Sequence, residues 1–234
     1  MKARKAVTSA VLAVLGAYLA LGLSGCSSDK PASEGPTSTA ATSDSTADSP
    51  LMAEVRQSAD ATKALTSVHL AVKTTGQVDS MLGITTADVD VRVNPLAAKG
   101  VCTYNGQADV PFRIKDDIIS VKLFDDWTNL GNVSDLSASR LIDPSNGVAK
   151  ILSGVANVQS QGAEVINGIP TTKITGTLPT DTVKIIDPGA RQSRPATVWI
   201  ASDGSHRLVQ ASVDLGSGSV QVTLSKWNEP VNLN

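Results

Sequence analysis

The stretch "DVDVRVN", residues 88–94, alternates without a break: Val89, Val91 and Val93 fall on one side, and Asp88, Asp90 and Arg92 on the other. A helix of 3.6 residues per turn would smear these valines around its circumference. A strand, with its period of two, collects them on one face. The same alternation recurs in "SVHLAVKTT" (67–75), "VPFRIK" (110–115) and "ISVKLF" (119–124). It returns in "TTKITGTL" (171–178), "ATVWIAS" (196–202), "RLVQASVD" (207–214) and "SVQVTLSKW" (219–227). Strands with one apolar and one polar face belong to an antiparallel sheet with one buried side. "SDGS" (202–205) and "GSGS" (216–219) have the composition of hairpin turns between the last three strands.

Helical signals are few. Ser49-Pro50 opens the first, with a capping Ser, Pro at the first helical position, and Leu51, Val55, Ala59 and Leu65 on roughly one face. "DPSNGVAKILSGVANV" (143–158) opens with Asp143 and Pro144 and sets Val148, Ile151, Leu152 and Val155 at helical spacing. "TDTVKIID" (180–187) predicts a shorter helix stopped by Pro188 and Gly189. The expected fold class is α+β. About ten strands at ~4.8 Å spacing make a sheet close to 50 Å wide, which must twist and curl. The few helices must cover its apolar face. That face is mostly Val, Ile, Leu and Ala, with Tyr104, Phe112, Phe124, Trp127, Trp199 and Trp227 the only aromatics after the N-terminal leader. From these residues alone, an ordinary aliphatic core and a curled sheet around a cavity both remain open.

The N-terminus carries an address. Lys2, Arg4 and Lys5 precede an uncharged run from Ala6 to Leu23, then small Ser24 and Gly25, then Cys26. This order of basic, apolar and small segments is that of a secretory signal peptide, and the run is borderline in length for a membrane span. "LSGC" (23–26) resembles the lipobox of bacterial lipoproteins, in which the cysteine receives a diacylglyceryl group and an N-acyl chain and becomes the first residue. Residues 1–25 are therefore expected to be a signal peptide, with Cys26 the lipid attachment site. Two or more acyl chains, at ~0.8 kcal/mol per buried methylene, hold firmly where one does not. Residues 27–49 are mostly Ser, Thr, Ala, Asp and Pro with no large apolar side chain, so 26–49 reads as a lipidated tether spanning roughly 25–30 Å. Residues 50–234 suit one domain.

Removing the leader leaves 17 Lys+Arg against 22 Asp+Glu, a formal charge of −5. That balance argues against a nucleic-acid partner and against electrostatic docking on anionic lipid. With Cys26 acylated, Cys102 has no disulfide partner and reads as a small buried apolar residue. His69 and His206 have no neighbours at metal-ligand spacing, and there is no nucleophile elbow or phosphate-binding loop. Asp125-Asp126 reads as a turn. Asn132-Val133-Ser134 is a glycosylation sequon by pattern, idle behind a bacterial-type leader. Trp199 and Trp227 read as packing residues, an indole at a cavity mouth being the alternative. No cofactor and no enzymatic activity are expected.

Longer runs are familiar. "LTSVHLAVKTTGQVDSMLGITTADVDVRVNPLAAKGVCTYN" (65–105), "ISVKLFDDWTNLG" (119–131), "RPATVWIASDGSH" (194–206) and "SKWNEPVN" (225–232) resemble the LppX/LprA/LprF/LprG family of mycobacterial lipoproteins, as does "DP…NG" (143–147). The resemblance implies a curved antiparallel half-barrel whose concave face, covered by a few helices, encloses a hydrophobic cavity. It implies a lipid-anchored carrier of very hydrophobic envelope lipids, phthiocerol dimycocerosate in particular, moving from the inner toward the outer membrane. An inner-membrane lipid transporter is then the expected partner and energy source. The candidate cavity lining falls on the inward faces: Val68, Leu70, Val72, Val89, Val91, Val93, Ile119, Val121, Leu123, Ile151, Leu152, Val155, Val198 and Ile200. The competing expectation is an envelope assembly or adhesion lipoprotein without cargo.

Overall fold

The computed structural model describes residues 49–136 and 139–233. The leader, Cys26 and the tether up to residue 48 lie outside the described residues. The chain starts with α1 (Pro50–Lys63), then runs through β1 (Ser67–Gly76), β2 (Ile84–Arg92), β3 (Ala97–Tyr104), β4 (Gln107–Lys115), β5 (Ile118–Leu123) and β6 (Asp126–Asn132). A helical connection follows: α2 (Ser139–Ile142), a π-helical turn at Pro144–Val148, and α3 (Ala149–Ser153). Then come β7 (Ala156–Ile166), β8 (Ile169–Leu178), α4 (Thr180–Val183), β9 (Arg194–Ala201), β10 (Leu208–Asp214) and β11 (Gly218–Ser225).

All eleven strands form one antiparallel sheet, in the order β6-β5-β4-β3-β2-β1-β11-β10-β9-β8-β7. It is curved and unclosed. Two meanders, β1 to β6 and β7 to β11, are thus joined where β1 pairs with β11. The valines of 88–94 explain the register. Val91 pairs with Val68, and Val89 with Leu70, which pairs in turn with Leu224 of β11. Partners in a ladder share a face, so one inward row runs Leu224, Leu70, Val89, Gly100, Phe112, Val121. Every side chain in that row is fully buried or nearly so. Each buried Val or Leu contributes roughly 1.5–3 kcal/mol from removed apolar surface. Gly100 has a steric reason to lack a side chain, because a Cβ there would overlap the Asp88 carbonyl. Cys102 sits on the same inward face, and burial pushes its thiol up to about 11.

The caps stand where the sequence sets them. The Ser49 hydroxyl accepts from the Met52 N–H at 3.2 Å, and the Asp143 carboxylate accepts from the N–H groups of Ser145 and Asn146 at 3.0 and 2.9 Å. Three boundaries differ from the sequence expectation. The sheet has eleven strands, because β3, β6 and β7 contribute without clean alternation. β6 and β7 are the two edges, largely exposed, and β7 shifts register twice against β8. An edge strand has little apolar face to reveal it. The helix expected over 143–158 ends at Gly154, and Val155 leads into β7 instead. The helix expected over 180–187 shortens to α4, with a hydrogen-bonded turn after it.

The connection from β6 to β7 runs between opposite edges of the sheet, and its apolar side chains pack on the sheet's inward face. Gly147 lies in its π turn, directly against the backbone of α2: a Cβ there would collide with the Arg140 carbonyl oxygen and carbon. Gly147→Ala is therefore expected to displace the turn and lower the thermal midpoint by several degrees, following from ~1–3 kcal/mol of overpacking at ~2–4 °C per kcal/mol. An unchanged midpoint would contradict this packing.

Candidate functional site

The concave face is not filled evenly. On its N-terminal half, Phe112, Ile114 and Ile119 pack the interior to below 4% exposure. On the C-terminal half two inward positions, Ala196 and Ala211, are small. Ala196 pairs with Val213, and Ala211 with Val198 and Val222. The register shift at Leu208/Gln210 makes a bulge in β10, so Leu208 and Ala211 both line the interior despite their odd spacing. An apolar cavity lies there, between β9–β11 and the helical cover. Its roof is Leu141, Val148, Ile151, Leu152 and Val155, and Ile186 closes one side. Thirteen of its fourteen lining residues are aliphatic, the exception being Ser212. Ser212 is the one lining side chain with a polar group, so recognition there is chiefly by shape and by exclusion of water.

The cavity has a volume of about 30 Å³, room for only one or two small groups in this conformation. Entry of anything larger requires the cover to move outward. The cover rests on apolar packing and is tied at its margins. Ser145 Oγ donates to the Lys63 carbonyl at 2.9 Å, joining the π turn to the end of α1. The Glu54 carboxylate of α1 meets His206 Nδ1 in the β9–β10 turn at 2.9 Å. Two polar ties at the rim are few beside a wholly apolar roof.

Of the residues expected to line the cavity, Ile151, Leu152, Val155 and Val198 do so. Val68, Leu70, Val72, Val89, Val91, Ile119, Val121 and Ile200 are buried in the same hydrophobic interior but do not line this cavity, and Val93 and Leu123 are partly buried against them. The sequence expectation missed Leu141, Val148, Ile186, Ala196, Leu208, Ala211, Val213, Val220 and Val222. Alternation places Ala196, Val213, Val220 and Val222 inward, but inward Ala87, Ala98 and Gly100 on β2 and β3 are as small as Ala196 and Ala211, so residue size gave no signal for the cavity.

The polar clusters lie elsewhere. His69 is held between Asp90, 2.7 Å from Nδ1, and Asp88, 3.3 Å from Nε2, on the outer face. Trp199 also faces outward: its indole N–H donates to Glu164 at 2.9 Å, and Lys173 lies over the ring. Those two groups hold the Glu164 carboxyl below its ordinary value. Trp227 donates to the Leu208 carbonyl at 3.2 Å beneath the Arg207 guanidinium. Neither indole lines the cavity. The Asp203 carboxyl is held down to about 2 by the Ser205 hydroxyl and N–H and by Arg207, which makes "SDGS" a braced turn. Among the described residues no group of three or more His, Cys, Asp or Glu could hold a metal.

Fold and site together define a half-barrel protein with a helix-covered aliphatic interior. The chain belongs to the LppX_LprAFG lipoprotein family, whose model matches residues 49–233. It is 67% identical to the "Putative phthiocerol dimycocerosate transporter LppX" of Mycobacterium tuberculosis, over 98% of both chains. It is 36% identical to the "Lipoarabinomannan carrier protein LprG" of Mycobacterium bovis, over 90% of this chain and 88% of that one. The crystal structure of Mycobacterium tuberculosis lipoprotein LppX superposes with a TM-score of 0.71 at 70% identity, covering 79% of this chain and 98% of that chain.

The packing difference between the halves is testable. Val91 is fully buried in the solid half, whereas Ala211 borders the cavity. Val91→Trp is expected to lower the thermal midpoint by about 2–12 °C, from overpacking of ~1–3 kcal/mol. Ala211→Val, which adds two methyl groups beside the cavity, is expected to leave it nearly unchanged. Equal losses in the two variants would place close packing at both sites and remove the cavity from β10.

Proposed function

We propose that this protein is a non-enzymatic carrier of very hydrophobic envelope lipids, with phthiocerol dimycocerosate as its cargo. The observation that carries the reading is the cavity lined by thirteen aliphatic side chains beneath a roof of short helices. The names of the relatives at 67% and 36% identity support a lipid as the occupant and, for the closer one, this lipid. Each methylene that leaves a membrane for water costs ~0.8 kcal/mol, so a wax with several long chains does not cross an aqueous gap unaided. An aliphatic interior removes that cost without a nucleophile, a metal or a nucleotide. The bound chains would displace α2, the π turn and α3 outward. These are short segments seated by apolar contacts, and the lipid replaces those contacts with equivalent ones.

In this proposal residues 1–25 are a cleaved signal peptide, Cys26 carries the acyl anchor, 26–49 tether the domain, and 50–234 hold the cargo. The anchor keeps the carrier outside the cytoplasm, on the membrane that supplies the lipid. Transport runs from the inner toward the outer membrane, and an inner-membrane lipid transporter supplies the energy. The test is one mass-spectrometric measurement on the full chain purified from its own envelope. Organic extraction is expected to release phthiocerol dimycocerosate in near-stoichiometric amount, and the first peptide is expected to begin at acylated Cys26. Protein free of lipid would contradict the carrier. A different wax would contradict the cargo alone, and an intact leader the anchor alone.

A further inference from the structure

We infer that the seam between α1 and α3 is the portal through which an apolar chain enters the cavity, and that the Glu54–His206 contact is its latch. The inference rests on the carrier reading and gives the same site its route of entry. On the sheet side the ladders of β9, β10 and β11 close the cavity. On the cover side α3 is a wall between two spaces. Its Ile151 and Leu152 line the cavity, whereas its Ala149, Lys150 and Ser153 line a groove on the outside. That groove, of about 410 Å³, runs between the cover and Ala59, Asp60 and Lys63 of α1. One helix of five residues thus stands between the cavity and open space. α1 packs along α3 and the π turn and reaches β10, so α3 can swing aside only if α1 gives way.

What restrains α1 is specific. Among the described residues, Glu54 is the one α1 side chain with a polar partner outside the helix. The His206 ring nitrogen Nδ1 lies 2.9 and 3.0 Å from its two carboxylate oxygens. The fixed end of this contact is the sheet. Asp203, Ser205 and Arg207 brace the β9–β10 turn, and the Leu208 carbonyl accepts from the Trp227 indole. Leu208, two residues beyond His206, lines the cavity itself. The latch therefore joins the helix that bounds the groove to the wall that bounds the cavity. Its two side chains are 35% and 30% exposed, and a contact so placed is weak enough to break and re-form at each exchange. Such a contact gates entry without fixing how tightly the cargo is held.

The test follows cis-parinaric acid entering and leaving the lipid-free full chain by stopped-flow fluorescence. Glu54→Ala is expected to raise the entry and release rates alike, about two- to fivefold, with the affinity nearly unchanged. His206→Gly, which suits the φ of +54° at that position, is expected to do the same and serves if Glu54→Ala misfolds. The double variant is expected to be no faster than either single one, because both remove one contact. Arg56→Ala, exposed on the same helix, is expected to leave the rates as they are. Lys63→Cys/Lys150→Cys, bridged across the groove by bismaleimidoethane, is expected to slow entry at least tenfold. Unchanged rates in both single variants, additive acceleration in the double, or equal acceleration by Arg56→Ala would overturn the latch. Unimpaired entry into the bridged chain would overturn the portal. In each of those cases the bound probe leaves the carrier reading standing. Absence of binding to the unaltered chain would instead remove that reading, and the portal with it.

Discussion

Eight antiparallel partners, from His69↔Ser225 to Gly76↔Gly218, join the start of the sheet to its last strand. The remainder of the architecture depends on this pairing. Without it the chain would be two separate meanders, of six and five strands. With it, Leu224, Leu70 and Val89 become one row, and the aliphatic surface of β1–β5 continues into that of β8–β11. The pairing also sends β6 and β7, adjacent in the chain, to opposite edges. The segment between them packs its apolar side chains on the concave face and cannot lie elsewhere without exposing them. Topology, rather than helix propensity, makes a cover of α2, the π turn and α3, whose helices are only four and five residues long.

The narrowness of the cavity follows from the same physics. Aliphatic walls attract no water, and roughly 25 cal/mol for each Å² of apolar surface removed from water favours their closure. A roof of short helices, tied at the rim through Glu54–His206 and Ser145–Lys63, can settle onto β9–β11 until little room is left. The N-terminal half cannot adapt in this way. Phe112, Ile114 and their neighbours fill it, and Gly100 is needed to let the strands approach. The sheet therefore divides its labour along its width: one half is a rigid core, and the other is a surface that accepts either its own cover or something equally apolar.

Much of this was legible in the residues. Period-two alternation marked eight of the strands, and the caps at Ser49 and Asp143 follow from their side-chain chemistry. The edges were not legible, because β6 and β7 have no buried face for a pattern to show. The position of the cavity was only half legible. Alternation says which side chains face inward, and Val68 and Val213 look alike by that rule. Where space remains depends on how inward rows meet across several strands and on the β10 bulge, and neither is a local property of the sequence.

The central claim is that the C-terminal half of the concave face, and not the N-terminal half, receives a long apolar chain beneath the cover. The most direct measurement is photo-crosslinking with a lipid that carries a diazirine in its acyl chain, followed by peptide mapping of the full-length protein. The account predicts adducts on Val148–Val155 and on the inward positions of β9, β10 and β11, including Ala211 and Val222. Adducts confined to the exposed outer face, or none on these segments under saturating probe, would contradict it.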